Sequence, residues 1–400
     1  MKQLYGWTTC LLGEVASTFS GGTPNRSRPE HFGGAIPWIK SGELNAGWVE
    51  TTEETLTQEG LENSSAKLVP AGATLLALYG ATAGVVGRTR SEAAINQAIL
   101  AVVPDRSRVE DDYLAYLLRN LTSKLLRIVQ GAQPNLNAGM VRDSEIELPP
   151  LPEQCKIADI LTTWDEALMQ LDALIEAHER RKKGLMQQLL TGKRRVPGFA
   201  APWKLVRLSR LLQSADRYIK WDETRMVRLA GVRRNNGGLF DRAELPATEI
   251  KVKTAKLLRA GDFLISRRQI TYGGMSVVPP EFEGFEVNDE YEVLVPADPA
   301  ALDIKFFDLL AHTPRLKHLA YLASNGFFAE RLRLNFDLQA FLESTVRLPE
   351  DICEQRQIVA ILQTADQQLT LLRTQRIALD QQKRGLMQRL LTGKVRVSAE

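Results

Sequence analysis

The chain has 400 residues, of which 44% are hydrophobic and 25% charged, and its net charge is only +3. That is enough chain for two or three ordinary globular domains, and too little net charge for a protein that grips nucleic acid with its whole surface. No apolar run reaches the roughly 18 residues of a membrane span, the N-terminal MKQLYGWTTCLLGEVAS lacks the apolar centre of a signal peptide, and Cys10, Cys155 and Cys353 are too scattered for a disulfide framework or a zinc site. A cytoplasmic protein with no membrane contact is expected.

The first segment, residues 1–150, reads as short strands edged by Gly, Pro and Asn: TLLALYG, GVVGRT and AILAVV follow one another between residues 74 and 103. Tyr113 to Val129 has helical spacing. The glycine-rich Gly80 to Gly87 does not have the GxGxxG spacing of a nucleotide loop and reads as a tight turn. Residues 151–196 then form one helix. Its inward series, Ile157, Leu161, Trp164, Leu168, Leu171, Ile175, His178, Lys182, Leu185 and Leu189, advances in steps of four and three. That is the seam of a coiled coil rather than a broad globular face. Gly192 follows the last apolar turn, where a C′ glycine stops a helix.

Residues 193–202, KRRVPGFAAP, have the Pro and Gly content of a domain linker. The second segment, 197–350, repeats the strand pattern with DFLIS, MSVVP and YEVLVP, and Ile304 to Leu322 reads as helical. Residues 351–400 repeat the long helix. Glu153 to Val196 aligns with Glu354 to Val397 without a gap, about half the positions are identical, and both copies close on GLMQ(Q/R)LLTGK. The second seam runs through Ile358, Leu362, Ala365, Leu369, Leu372, Arg376, Leu379, Lys383, Leu386 and Leu390. Each helix should be about 40 residues, roughly 60 Å. The duplication extends outward: Ala71–Leu76 corresponds to Ala260–Ile265, Ile95-Asn96-Gln97 to Val287-Asn288-Asp289, and Trp7 to Trp203. The fold class expected is α+β, with two similar globular domains and two long helices that pair antiparallel about a local two-fold axis. Two independent coiled coils, each binding another protein, would be the alternative.

Enzyme signatures are missing. There is no GxxxxGK[ST] and no [ND]PP[YF]; His31, His178, His312 and His318 share no metal spacing, and the acidic Asp105 and Glu110 are not followed by an ExK. What remains is recognition chemistry. Between Lys204 and Arg234, nine basic residues face only Asp216, Asp222 and Glu223. Arg233, Arg234, Asn235 and Asn236 sit in a glycine-bounded loop. Arg267, Arg268 and Gln269 follow a strand and precede Tyr272. In the first half Arg26, Arg28, Lys40, Ser41, Tyr79, Thr82, Arg88, Gln133, Asn135 and Asn137 occupy comparable loops. Arginine pairs bidentately with guanine, and Asn or Gln with adenine, while cations on phosphate supply affinity. These eighteen residues are the expected DNA contacts; no catalytic, cofactor or metal residue is expected.

The layout resembles the specificity subunit of type I restriction–modification systems. Beyond the two helices opening on LP…EQ and ending LLTGK, the first half carries SGGTP, IPWIKSGEL, YGATAG, INQA and QPNLN, which are similar to motifs of that family's target-recognition domains. The second half departs, with RRQITYGG in place of YGATAG and VNDEY in place of INQA. The resemblance implies a non-catalytic subunit in which each domain reads one part of a split double-stranded DNA target. It implies helices that act as a spacer and dock two methylation subunits, with restriction subunits joining them. S-adenosylmethionine, ATP and magnesium would belong to those partners, none to this chain. A protein-interaction scaffold that leaves DNA alone, or a DNA-modifying enzyme with an unrecognised site, are the other classes.

Overall fold

Strands that are apolar at every position rather than every second one must be covered on both faces, and the central strands of both domains are built that way. The computed structural model describes residues 6–128, 135–215, 217–325 and 335–398. They fall into two compact units, one comprising residues 1–173 and 374–400, the other 174–373.

In the first unit, a five-stranded sheet has the order Ala16–Ser20, Ile99–Pro104, Thr74–Ala77, Val86–Thr89, Trp48–Val49. Leu76, Leu100 and Val102 point to one side, where they pack with Tyr113, Leu114 and Leu118 of the helix Asp111–Ile128. Leu75, Ala77, Ile99 and Ala101 point to the other, against Ile39, Leu44 and Ile95. A second sheet, ordered Glu54–Leu56, Phe32–Ile39, Ala93–Ile95, Lys67–Val69, lies on that side. Its pairing of Trp38 with Ala94 is parallel.

The second unit repeats this topology, except that among its described residues no strand corresponds to Trp48–Val49. Leu212–Ser214, Tyr291–Pro296, Phe263–Ser266 and Met275–Val277 form one sheet; Leu239–Pro246, Met226–Val232, Glu286–Val287 and Lys256–Leu257 form the other. The parallel pairing of the second sheet recurs at the same place, with Leu229 beside Glu286. Phe263 and Ile265 face one core and Leu264 the other. The counterparts read from sequence, Thr74–Ala77 with Phe263–Ser266 and Ile95 with Val287, thus occupy equivalent strands. One expectation is corrected. Residues 304–322 form two helices, Ile304–Ala311 and Pro314–Leu322. Pro314 has no amide hydrogen to continue the first, and Thr313 caps the second by accepting from the Leu316 amide.

The long helices run Leu151–Leu189 and Ile352–Leu390, 39 residues each. Every residue of both expected seams is buried or half-buried. Each helix gives its first half to the unit of the domain before it and its second half to the other unit. Within the first unit, residues 151–173 run antiparallel to 374–390: Asp165 pairs with Lys383, and Asp172 with Arg376 at 3.1 Å. Within the second, Asp366 pairs with Lys182, the repeat-equivalent of the Asp165 pair, and Glu179 with Arg373 at 2.5 Å.

The EQ pair that opens each helix has a specific task. Gln154 is fully buried; its amide donates to the carbonyls of Arg108 and Pro149, both at 2.8 Å, and its oxygen accepts from the Glu110 amide at 2.9 Å. Gln355 does the same with Ala301, Pro349 and Asp303. Glu153 accepts from the Trp7 indole and from Arg396; Glu354 accepts from the Trp203 indole and from Arg195. Burial pushes Glu153 up, but the hydrogen bonds from Arg396, Val397 and Trp7 outweigh it and hold the carboxyl below its usual range. The LLTGK ending is equally determined. Leu189 and Leu190 are buried in the core around Trp203, Leu390 and Leu391 in the core around Trp7. Gly192 has φ +69°, and a Cβ there would stand 3.1 Å from the Trp203 ring. Among the described residues no helix is long and apolar enough to cross a membrane, and no cluster of three His, Cys, Asp or Glu could hold a metal ion.

Candidate nucleic-acid interface

In the second domain the two loops singled out from sequence are bonded to each other. The hairpin turn after Met226–Val232 places Asn235 and Asn236 both at φ 56°, the left-handed region that asparagine tolerates better than most residues. That conformation directs their amides onto the neighbouring turn. Asn235 N–H donates to the Tyr272 carbonyl at 2.7 Å and Asn236 N–H to the Gly273 carbonyl at 3.0 Å. Gly273, at φ +72°, leaves room for the Asn236 side chain, which a Cβ would meet at 2.7 Å. Arg233, Arg234, Asn235, Asn236, Gln269 and Tyr272 therefore share one surface. The arginines differ in what holds them. Arg233 donates to the Leu239 carbonyl at 2.7 Å. Arg267 reaches the Phe336 carbonyl at 3.2 Å and Glu292 at 3.4 Å. Arg268 is ion-paired with Glu290. Arg234 lies over the Tyr272 ring, 5.0 Å from its centroid.

The first domain has the equivalent arrangement. The turn Gly80–Thr82, which follows the exposed Tyr79, packs against the turn Ser41–Ala46. Leu136 N–H donates to the Leu78 carbonyl at 2.7 Å and lays Asn135 alongside. Lys40 pairs with Glu53 at 2.7 Å and Glu54 at 3.1 Å, and Glu54 also holds Arg26 at 2.7 Å. The hydrogen bond to Glu53 raises Lys40, and the one from Arg26 lowers Glu54. The Arg26 guanidinium lies over Phe32 and Trp38 at 5.0 and 5.2 Å. Arg26, Lys40, Ser41, Tyr79, Thr82 and Asn135 thus belong to connected loops. Arg28 is exposed. Asn137 spends its side-chain oxygen as the N-cap of Ala138–Arg142, a role Asp337 repeats for Leu338–Glu343. Gln133 lies outside the described residues.

Arg88 is placed differently. Only 9% of its side chain is exposed; it pairs with Asp112, donates to the Gly72 carbonyl at 3.2 Å and lies 4.4 Å from the Trp48 ring centroid. Its guanidinium is committed inside the domain. Arg88→Ala is expected to lower stability by about 1–3 kcal/mol and to leave any sequence preference unchanged, which unfolding and DNA selection on one variant would check. The basic stretch 204–234 also differs from expectation. Arg217 pairs with Asp262, Arg225 with Glu286, Lys204 with Glu350 and Arg207 with Glu343. Its charge is met by carboxylates distant in sequence, so the local count overstated the free cation. The acidic partners Glu54, Glu290 and Glu292 lie well away in sequence from Arg26, Lys40, Arg267 and Arg268, which they hold, so only the fold brings them together.

Residues 5–178 match the family described as the type I restriction modification DNA specificity domain. The specificity subunit of the EcoR124I/EcoR124II type I restriction enzyme from Escherichia coli is 27% identical over 166 residues, 40% of this chain and 40% of that protein. The MjaVIII specificity subunit of Methanocaldococcus jannaschii is 22% identical over 430 residues, 99% of this chain and 96% of its own length. The crystal structure of the HsdS subunit from Thermoanaerobacter tengcongensis has the same fold, with a TM-score of 0.54 at 19% identity over 98% of this chain and 97% of that one. Residues 5–178 thus match that family's domain, and along its whole length the chain is similar in sequence to a type I specificity subunit and has the fold of another.

Proposed function

We propose that this chain is the non-catalytic, sequence-reading subunit of a type I restriction–modification system, with each globular domain contacting one part of a split target in double-stranded DNA. The observation that carries this reading is the duplicated pair of loops. Two domains of one topology present loops from the same strand ends, yet line them with different residues: Lys40, Ser41, Tyr79, Thr82 and Asn135 in one, Arg234, Asn235, Asn236, Gln269 and Tyr272 in the other. A shared scaffold with diverged polar tips is what two different base sequences require. Arg26, Arg28, Arg233, Arg267 and Arg268 border those tips and fit phosphate contacts or loop support. The long helices, whose exposed faces carry Met169, Leu371 and Ile377, would dock two methylation subunits. Restriction subunits would join them, and S-adenosylmethionine, ATP and magnesium would be bound by those partners.

The test is binding of the chain, alone and with its methylation subunit, to a randomised duplex library over a range of salt. Selection of a motif in two separated parts is expected, with affinity falling steeply as salt rises. Sequence-blind binding, or none in either state, would leave a protein-interaction scaffold as the better reading. The purified chain with DNA, magnesium and S-adenosylmethionine should neither methylate nor cut; turnover at stoichiometric protein would contradict the non-catalytic assignment.

A further inference from the structure

The cations of the second domain's loops are not equivalent, and the difference assigns their roles. Arg233, Arg267 and Arg268 each have a hydrogen-bond or ion-pair partner within the domain: the Leu239 carbonyl, the Phe336 carbonyl with Glu292, and Glu290. The Arg234 side chain has no hydrogen bond or ion pair among the described residues, although its carbonyl accepts from the Gly237 amide at 3.2 Å. The contact that positions it is the Tyr272 ring. The loop beneath it is fixed at both ends, by Arg233 N–H to the Gly238 carbonyl at 2.9 Å and by the Asn235 and Asn236 amides on the next turn. The guanidinium therefore lies over the Tyr272 ring while its donor fork, exposed to solvent, has no protein acceptor among the described residues. Stacking on an aromatic face orients the plane without using the in-plane donors. A planar fork with open donors matches the O6 and N7 acceptors of guanine in the major groove.

We propose that Arg234 is the base-reading arginine of the second domain, that it reads a guanine, and that Arg233, Arg267 and Arg268 position the loops around it. This rests on the DNA-recognition reading given above. Tyr272 is a positioning residue in this scheme, and Gly273 keeps the two loops close enough for the stack.

The experiment uses the full chain assembled with its methylation subunit. Wild type, Arg234→Ala and Arg234→Lys are each selected against a duplex library randomised at every position, and affinities for the selected sites are measured across a salt series. For Arg234→Ala one guanine position in one part of the motif should become degenerate, with affinity for the original site down by about 5- to 150-fold. Arg234→Lys should regain the salt dependence but not the guanine, because an ammonium has no bidentate fork. The other part of the motif, read by the first domain, reports within the same data that the protein is folded and assembled. Uniform weakening on all sequences with an unchanged motif would overturn the proposal in favour of a phosphate contact. Loss of every position in that half together would overturn it in favour of loop support. Absence of any motif in the wild type would instead refute the recognition reading itself.

Discussion

Gln355→Leu should destabilise the second unit by about 3 kcal/mol or more, although leucine has nearly the volume of glutamine and the site is fully buried. The side chain fills no special cavity; it closes a polar account that nothing else can close. Its amide satisfies the carbonyls of Ala301 and Pro349, both at 2.9 Å, and its oxygen satisfies the Asp303 amide at 2.9 Å. Leucine would leave three main-chain groups without that partner and away from water, each worth about 1–3 kcal/mol. The Asp303 amide lies at the entry to the helix Ile304–Ala311, so the loss should loosen that helix where Phe306 and Phe307 enter the core. Denaturant unfolding followed by the fluorescence of Trp203, whose indole bonds to the adjacent Glu354, is the measurement. Cys353→Ser, two residues away and exposed, should move the midpoint by no more than about 0.5 kcal/mol. Gln154→Leu should reproduce the large effect in the first unit. If Gln355→Leu costs under about 1 kcal/mol, the hydrogen-bond account of the EQ pair is wrong.

That pair illustrates what a single sequence makes legible. Repetition marked Glu-Gln as important twice, and the seams were readable because a coiled-coil stripe is a local periodicity. The strands were readable because burial on both faces writes a continuous apolar run. Three things were not readable, and each depends on a long-range contact. Where each LLTGK ending docks is settled by packing of Leu390 and Leu391 beside Trp7, more than 380 residues earlier in the chain. Whether an arginine is free depends on carboxylates elsewhere: Arg217 and Arg225 look available until Asp262 and Glu286 are placed against them. Which of several loop cations stays open depends on the fold of two loops at once, so Arg268 and Arg234 are indistinguishable in the sequence. The break at Pro314 is the exception, because proline's missing amide hydrogen is a local feature of the sequence itself.

Exchanging residues 1–150 for the corresponding domain of a related specificity subunit should replace one part of the recognised motif entirely and leave the other part intact. Affinity for the original bipartite site should fall by about 10³-fold or more, toward the level of non-specific binding. This prediction rests on the proposed function, but the structure gives a reason to expect the chimera to fold. The retained segments of the first unit meet the exchanged domain through an apolar core, where Ile157, Leu161, Leu390 and Leu391 pack with Trp7 and Tyr113, and through its main chain. Gln154 contacts the carbonyls of Arg108 and Pro149 and the amide of Glu110, and a main chain of the same topology offers those groups whatever its side chains. Beyond apolar residues at the core positions, the polar side-chain requirements are an indole at position 7 for Glu153 and a hydroxyl at position 116, where Tyr116 donates to Asp165 at 2.7 Å. A donor domain with Trp and Tyr at those positions should assemble with wild-type stability. One lacking the tyrosine should read its own half-site while unfolding earlier, since Asp165 and Lys383 would lose a partner. Motif selection on the chimera, with the second domain untouched, separates the outcomes. A change in both parts of the motif would mean that the two domains do not read independently. A change in neither would mean that residues 1–150 do not carry base recognition, and the loops of Lys40, Tyr79 and Asn135 would then serve the fold alone.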